Sequence, residues 1–288
     1  MSTRFYKLTG SGNDFIFLDG REHDRPDWPA DRIKAVCDRR RGVGGDGLVF
    51  VGLEPDGAVR MVYFNSDGSP ADLCGNAALC ATRLAVHLGL VGPDRVELAT
   101  DARRLESRCV GPGWMAEIRL ATVAIPRPLD LALGAGERQA FQGTVGVPHT
   151  VILVDDLDSV DVEGRGRQLR SSPAVGLTGS NVNFLGRMAT PDAAWSIRTY
   201  ERGVEGETLA CGTGTIAAAL ALAGAGLGAL PIQIRSRSGS VYSVTGSLGG
   251  DCATDVWLCG EGRLVFVGSL EGSSPLKSDL PTGINNRT

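Results

Sequence analysis

The sequence predicts an α+β fold of two similar halves, in each of which β-strands surround one central helix. Three observations support this prediction: glycines separate many short β-rich runs, two helical segments stand out among them, and both helices begin at a Cys-Gly motif. The second helical segment is apolar on every side. Such a helix must be enclosed, and the abundant strands are the elements available to enclose it.

The predicted strands form two series, separated by a proline-containing segment. The first series covers 15–19, 48–51, 59–64, 95–100 and 114–121, and the second covers 150–157, 181–188, 195–201, 232–239 and 255–268. Within the last run, Gly260-Glu261-Gly262 predicts the turn of a hairpin. The prolines of IPRPLD, 125–130, disfavour both helix and strand pairing, so we expect the linker between the halves there.

One helix is expected in each half. The first covers about 76–87, where Gly89 ends it, and the second covers about 213–223. The predicted halves are therefore 1–124 and 125–263.

The composition limits the class of partner. The formal net charge is −4 and no Lys/Arg-rich run occurs, which argues against nucleic-acid or membrane-surface binding and favours a small molecule.

Without a signal-peptide core or an apolar stretch of about 20 residues, the protein is expected to be cytoplasmic. The seven cysteines include no C-x-x-C pair and the three histidines are not spaced as zinc ligands, so we expect free thiols and no metal site. The polar, Pro- and Gly-rich segment 272–288 predicts a flexible tail.

The two Cys-Gly motifs are similar in sequence and in setting. DLCGNAALCA surrounds Cys74, and LACGTGTIAA surrounds Cys211. Each cysteine follows, at a similar distance, a polar residue at the end of a predicted strand: Asn65 in the first half and Glu201 in the second. A duplicated domain is the economical explanation. The remaining cysteines are expected to be packing residues: Cys37, Cys80, Cys109, Cys252 and Cys259.

A cysteine at the first turn of a helix lies beside unpaired N–H groups and a partial positive charge. These favour its thiolate and can also hold a carboxylate. Gly75 and Gly212 would let a ligand approach that backbone closely. Two such helices facing each other would place Cys74 and Cys211 on opposite faces of one carbon. This arrangement predicts cofactor-independent inversion of a stereocentre next to a carboxylate, with a thiolate as base and a thiol as acid.

Two other functions are compatible with these residues. A thiol hydrolase or transferase would use one cysteine as a nucleophile, activated by His149. A non-catalytic amino-acid binding protein would keep the glycines and have no use for paired thiols. Only the two-base hypothesis requires both Cys74 and Cys211.

In combination, these motifs resemble the diaminopimelate epimerase family over nearly the whole chain. The matching segments are GSGNDF (10–15), GVGGDG (42–47), NSDGSPADLCGN (65–76), PHTV (148–151), NVNF (181–184) and ERGVEGETLACGTGT (201–215). The resemblance implies two α/β halves, each a curled mixed sheet around a central helix, with a C-terminal strand at about 264–271 joining the first half. It also implies a homodimeric isomerase of lysine biosynthesis that acts on diaminopimelate without pyridoxal phosphate or another cofactor.

The resemblance also assigns roles to single residues. Cys74 and Cys211 would be the acid/base pair, and His149 and Glu201 would flank them and adjust their pKa values. The backbone donors for the carboxylate at the reacting centre would be those of Gly75, Asn76, Gly212 and Thr213. The residues at the distal end of the substrate would be Asn13, Asn65, Asn181 and Arg202, and Glu201 is counted among the substrate-binding residues as well.

Several positions depart from the family's usual residues. Many members carry asparagine where this chain has Val147, the usual glycine and arginine are replaced by Ala77 and Leu79, and part of the family has glutamine where this chain has Gly47. ERGVEGET is also one residue longer than the commoner spacing. None of these changes removes a predicted acid, base or carboxylate donor. For the substrate, a related cofactor-independent racemase of another amino acid stays an alternative.

Overall fold

The computed structural model describes residues 2–23, 28–71, 73–188 and 193–271. The predicted tail at 272–288 lies outside these ranges. Strands dominate the described residues, and four α-helices are interleaved with them. No helix within the described ranges is long and apolar enough to cross a membrane.

The first half of the chain begins with two strands and contains two helices. Its elements are β1 (Thr3–Gly10), β2 (Asn13–Asp19), α1 (Ala30–Cys37), β3 (Gly47–Leu53), β4 (Val59–Asn65), β5 (Pro70–Ala71), α2 (Gly75–His87), β6 (Val96–Ala99), β7 (Arg104–Val110), β8 (Met115–Ala124) and β9 (Arg127–Pro128).

The second half follows the same order. Its elements are β10 (Glu137–Val145), β11 (Val147–Val154), α3 (Val162–Arg170), a 3-10 turn (Pro173–Val175), β12 (Asn181–Arg187), β13 (Trp195–Glu201), β14 (Gly206–Thr208), α4 (Gly212–Gly224), β15 (Ile232–Arg235), β16 (Val241–Gly249), β17 (Cys252–Glu261) and β18 (Arg263–Leu270).

The strands of both halves pair in the same pattern. In the first, β2 is parallel to β3, β3 is antiparallel to β4, and β4 is parallel to β6, which continues antiparallel through β7 to β8. In the second, β11, β12, β13, β15, β16 and β17 repeat these relationships. The strands β1 and β10 extend the two series, antiparallel to β2 and β11. The duplication inferred from the cysteine motifs therefore extends to the strand topology.

The repeat can be followed to single residues. Phe15 lies opposite the first residue of β3, and His149 lies opposite the first residue of β12. Asn65 is the last residue of β4, and Glu201 is the last residue of β13. Phe15 and His149 therefore occupy equivalent positions, as do Asn65 and Glu201.

The two series meet at β8 and β17, which pair antiparallel with Ile118 opposite Leu258. After each of these strands the chain continues into the other series: β9, which follows β8, pairs with β10, and β18, which follows β17, pairs with β1. The hairpin predicted at Gly260-Glu261-Gly262 is therefore wrong. At Gly262 the chain passes so close to α2 that an added Cβ would lie 2.6 Å from the carbonyl oxygen of Leu79, so a side chain has no room there.

The segment 125–130 forms a short paired strand rather than an unpaired linker. Arg127 and Pro128 lie opposite Gln142 and Phe141 of β10. The prediction that its prolines prevent pairing is therefore wrong. Pro128 is accommodated because the next N–H, that of Leu129, donates to the carbonyl of Ala140 at 2.8 Å. The nitrogen of Pro128 therefore faces away from β10, where its missing N–H removes no ladder hydrogen bond.

The helices α2 and α4 are the buried centres of the two series. Their predicted limits agree with the structure to within one residue at each end. In α4, Ile216, Leu220 and Leu222 are at most 1% exposed, and alanines between them let the surrounding strands approach closely. The buried hydroxyls of Thr82 and Thr215 donate to carbonyls one turn earlier, at 2.8 and 2.9 Å. The helices are thus enclosed without leaving these polar groups unpaired.

Neither α1 nor α3 is among the predicted helices. Both are short, and each buries only one edge: Ile33 and Cys37 in α1, and Val162 and Leu169 in α3. They pack onto outer faces of the sheets, in two smaller cores. Each helix has too few apolar positions to show a helical periodicity that can be distinguished from the pattern of a strand.

Candidate active site

The two cysteines are the N-cap residues of the two buried helices. Cys74 has φ −123° and ψ 121° and precedes α2, and Cys211 has φ −132° and ψ 104° and precedes α4. Extended φ and ψ angles are usual for an N-cap residue, whose side chain then lies beside the first helical turn. All seven cysteines of the chain are free thiols, as predicted.

The first turns of α2 and α4 lie next to each other. A Cβ added to Gly75 would lie 3.7 Å from Ile118, and one added to Gly212 would lie 2.9 Å from Leu258. These two apolar residues face each other in the β8–β17 pair. The side-chain oxygen Oδ1 of Asn76 lies 3.6 Å from the same Cβ position of Gly212. Both helix starts therefore converge where the halves meet.

Burial dominates the acidity of both thiols. It raises the pKa of Cys74 to about 11, against the opposing effect of the backbone N–H groups of Ala77 and Asn76. Burial also raises the pKa of Cys211, with the negative charge of Glu201 as the second cause. The hydroxyl of Thr213, 3.6 Å from the sulfur of Cys211, acts in the opposite direction. The N–H groups at the helix starts therefore lower the pKa of both thiols, but desolvation raises it by more.

Glu201 lies close enough to influence both thiols. Its charge raises the pKa of Cys74 as well as that of Cys211. Burial raises the pKa of the Glu201 carboxyl itself, while hydrogen bonds from Thr208 and Cys211 partly oppose this effect. A carboxyl in this setting gains a proton more readily than one on the surface, which suits an exchange of protons with a thiol.

His149 is a buried, neutral imidazole. It is 0% exposed and lies opposite Asn181 at the start of β11 and β12. Burial, followed by the charge of Arg202, lowers its pKa to about 3. Its Nδ1 lies 3.2 Å from Nδ2 of Asn183, a residue inside the NVNF motif to which the sequence prediction gave no role.

Asn13 and Asn76 belong to one chain of hydrogen bonds that links the halves. Tyr242 of β16 donates to Oδ1 of Asn76 at 2.6 Å, and Nδ2 of Asn76 donates to Oδ1 of Asn13 at 2.6 Å. Asn13 in turn donates to Asp46 at 2.9 Å. Tyr242 was not predicted as part of this region. Tyr242 lies between the predicted strands 232–239 and 255–268, and nothing in its neighbouring residues indicates that its hydroxyl faces the other half of the protein.

The other predicted side chains divide between the halves. In the second half, Oδ1 of Asn181 accepts from the backbone N–H of Arg202 at 2.8 Å, and the guanidinium of Arg202 donates to the carbonyl of Thr178 at 3.1 Å. In the first half, Asn65 donates to the hydroxyl of Ser69 at 3.0 Å. The structure thus groups Asn181 with Arg202 and His149, and Asn13 with Asn76. The hydrogen bond of Asn65 to Ser69 lies within the turn that follows β4.

Comparison with known proteins identifies the family. The sequence profile described as diaminopimelate epimerase matches residues 5–116 and 141–247. A diaminopimelate epimerase from Gemmatimonas aurantiaca is 43% identical over 287 residues, covering 93% of this chain and 99% of the relative. Another, from Aquifex aeolicus, is 35% identical over 276 residues and covers 92% of this chain and 97% of the relative. The chain belongs to the diaminopimelate epimerase family. The resemblance predicted from the motifs is confirmed.

Solved structures share the fold at low sequence identity. A PhzF-family phenazine biosynthesis protein from Bacillus anthracis matches with a TM-score of 0.72 at 13% identity, covering 94% of this chain and 99% of that chain. A hydroxyproline epimerase from Agrobacterium vitis, bound to trans-4-hydroxy-L-proline, matches with a TM-score of 0.61 at 17% identity, covering 93% and 92%. The predicted α+β fold of the diaminopimelate epimerase family is thereby confirmed.

The structure explains two of the departures within the diaminopimelate epimerase family. A Cβ on Gly47 would lie 2.5 Å from the ring of Tyr63 and 2.4 Å from the carbonyl oxygen of Phe64, so no side chain fits there. Leu79 is 0% exposed in the core that surrounds α2, where a longer charged side chain would lose its hydration. Val147 begins β11 and pairs with Val145, and it supplies no polar group.

Proposed function

We propose that this member of the diaminopimelate epimerase family interconverts L,L- and meso-diaminopimelate by a two-base mechanism. One observation carries the proposal: Cys74 and Cys211 cap two related helices whose first turns converge where the halves meet. A single base could not invert a carbon efficiently, because the proton must leave one face and arrive at the other. Two thiols from opposite halves provide one group for each face.

In the proposed reaction, a thiolate takes the proton from Cα, so that the C–H bond breaks and an S–H bond forms. The opposite thiol then gives its proton to the other face and becomes the thiolate. For the reverse direction the two cysteines exchange roles. Both begin as acids of raised pKa, Cys211 buried and Cys74 half-buried. Glu201, beside Cys211, is the group proposed to accept the proton that must leave before the first step.

The carboxylate next to Cα gains negative charge as the proton leaves. In the proposal, the backbone N–H groups at the starts of α2 and α4 hold this carboxylate: those of Gly75, Asn76, Gly212 and Thr213. Because the donors are fixed in the backbone, they need no reorganisation during the reaction. The two cysteines supply both the acid and the base, so the proposed step is written without a cofactor.

The distal end of the substrate is assigned to the polar groups beyond the thiols. Arg202 can engage a carboxylate with two N–H groups, and its backbone bond to Asn181 fixes the start of the turn that carries it. In the proposal, Asn13 and Asn65 contribute to this end from the first half. Val147 supplies no hydrogen bond at the position where many relatives have asparagine, which favours a second candidate, the racemisation of an amino acid with a different distal end.

Solvent deuterium separates these functions. With L,L-diaminopimelate in deuterium oxide and a reductant, the proposed enzyme incorporates deuterium at Cα and forms the meso isomer. Incubation with lysine, glutamate and histidine in parallel tests the alternative racemase. A binding protein would leave every Cα hydrogen in place, and this result would refute the proposal.

Two matched variants test the paired thiols. Cys74→Ser and Cys211→Ser should each reduce epimerisation by about 100-fold or more in both directions, because each removes one of the two acid/base groups. Loss of activity in only one of them, together with a covalent acyl intermediate, would instead support a thiol hydrolase.

We further infer that the protein is a cytoplasmic homodimer, by analogy with the family. We also infer two structural units, 1–124 with the strand at 264–271 and 125–263, supported by the pairing of β18 with β1 and of β9 with β10. Sedimentation at equilibrium tests the assembly: a monomer at micromolar concentration would contradict the homodimer.

A further inference from the structure

Asn183 lies at the centre of a buried polar group. It belongs to β12, between β11 and β13, and it is 0% exposed. Its Nδ2 lies 3.0 Å from the carbonyl oxygen of Thr150 and 3.2 Å from Nδ1 of His149. Its Oδ1 lies 3.0 Å from the hydroxyl of Thr199. Every polar atom of the amide therefore has a partner.

These partners fix the orientation of the Asn183 amide. The carbonyl of Thr150 can only accept a hydrogen bond, so it must face the amide nitrogen. The hydroxyl of Thr199 then donates to Oδ1. A flipped amide would place Oδ1 against the carbonyl oxygen of Thr150, two buried acceptors with no proton between them, which is strongly unfavourable.

The orientation of Asn183 decides where His149 carries its proton. The second hydrogen of Nδ2 points to Nδ1 of the ring, so Nδ1 is the acceptor. A neutral imidazole with an accepting Nδ1 has its proton on Nε2. Burial and the Arg202 charge lower the pKa of His149 to about 3, which keeps the ring neutral at physiological pH. Nε2 is buried and has no hydrogen-bond partner among the described residues.

We propose that Asn183 is a positioning residue that holds His149 as a neutral donor, with the Nε2–H group reserved for an acceptor oxygen of the bound ligand. The ring lies opposite Asn181 in the sheet and near Arg202, the two residues to which the proposed function assigns one end of the substrate. Buried donors in native proteins are nearly always paired. A ligand carboxylate at this place would pair the Nε2–H group.

Asn183 also touches the start of α4. A Cβ added to Gly214 would lie 2.2 Å from Oδ1 of Asn183 and 3.3 Å from the sulfur of Cys211. Only glycine lets the amide and the thiol approach the same point of the backbone. Asn183 thus connects the imidazole of His149 to the helical turn that carries Cys211.

The tautomer of His149 can be measured directly in the full chain. The sequence has three histidines, so two-bond proton–nitrogen correlation spectra of protein labelled with nitrogen-15 in histidine contain few signals. The spectrum of His149→Gln assigns the signal of His149. We expect the pattern of the Nε2–H tautomer, unchanged from about pH 5 to about pH 8. An Nδ1–H tautomer, or a protonated ring in this range, would overturn the proposal.

Variants of Asn183 test whether it sets the tautomer. In Asn183→Asp the carboxylate can only accept, so the proton should move to Nδ1 or the ring should become doubly protonated, and kcat should fall about tenfold or more. Asn183→Ala, which lacks the amide without adding charge, should show a mixture of tautomers. Thr199→Val removes only the donor to Oδ1 and should keep the Nε2–H tautomer.

These spectra separate this inference from the proposed function on which its ligand rests. A tautomer that stays Nε2–H in Asn183→Ala and Asn183→Asp would show that Asn183 does not position the ring. Addition of L,L-diaminopimelate should shift the Nε2 proton. If this shift is absent while the Cα hydrogen of L,L-diaminopimelate still exchanges with deuterium oxide, Nε2–H does not hold the ligand and that part of the inference is overturned. If both the shift and the exchange are absent, the proposed substrate is refuted.

Discussion

The hydroxyl of Tyr242 donates a 2.6 Å hydrogen bond to Oδ1 of Asn76, so a strand of one half holds the first turn of the helix of the other half. Both residues are almost completely buried, at 0% and 3% exposed. Burial and this contact mean that neither group can exchange its partner for bulk water. The bond fixes the position of α2, whose N-cap is Cys74, relative to the second half.

Tyr242→Phe should therefore destabilise the protein. The change leaves Oδ1 of Asn76 without its donor, which costs about 1–3 kcal/mol in the free energy of unfolding. Urea unfolding followed by circular dichroism measures the loss. Tyr200→Phe is the matched control, because Tyr200 is equally buried but its hydroxyl makes only a 3.4 Å contact with Glu205. Equal losses in the two variants would show that the Tyr242 bond contributes little.

The two helix starts should respond differently to the same substitution. A Cβ at Gly212 would lie 2.9 Å from Leu258, whereas one at Gly75 would lie 3.7 Å from Ile118. Gly212→Ala must displace Leu258 or α4 and should lower kcat/KM about tenfold or more, and Gly75→Ala should have a smaller effect. Steady-state epimerisation assays on both variants decide the point. A larger loss for Gly75→Ala would contradict the packing described at this junction.

Gly47 should not accept a side chain. An added Cβ would lie 2.4 Å from the backbone oxygen of Phe64, which cannot rotate away, so Gly47→Ala should destabilise the protein by about 1–3 kcal/mol. Gly52→Ala in the same strand is the control, since its Cβ would meet its nearest atom at 3.6 Å. Thermal unfolding of both variants gives the comparison. Similar melting temperatures would be inconsistent with the close contact at Gly47.

His149 should contribute a pH-dependent term to stability. The pKa of His149 is about 3 in the folded chain, against 6.5 for an ordinary histidine, so the unfolded state binds an extra proton between these pH values. This contribution is present above about pH 6.5 and is lost as the pH falls toward 3, with a slope of at most about 1.4 kcal/mol per pH unit.

Urea unfolding at several pH values tests this term. The free energy of unfolding should decrease less steeply on acidification in His149→Gln than in the unmodified protein. His87→Gln, at an exposed position, is the control and should leave the slope unchanged. Parallel curves for the unmodified protein and His149→Gln would mean that the ring is charged in the folded state.

Local patterns contain enough information to predict the two cysteine-capped helices. A helix start depends on residues that are close in sequence. The apolar run after Cys211 and the glycine after each cysteine are local signals of this kind. The family motifs add Asn181, Arg202 and Glu201, which the structure places at or next to strand ends, with Glu201 beside Cys211. Their roles as ligands of a substrate remain predictions.

The α+β class, the duplicated motif and the two buried helices can be predicted from the sequence, because apolar periodicity and helix capping act over short distances along the chain. The pairing of β18 with β1 and the contacts of Tyr242 with Asn76 and of Asn183 with His149 become visible only in the folded chain. These contacts join residues that are distant in sequence, so no local pattern specifies them. The acidity of the thiols was likewise decided by folding: the helix termini favour the thiolates, but the surrounding protein removes more hydration than the N–H groups replace.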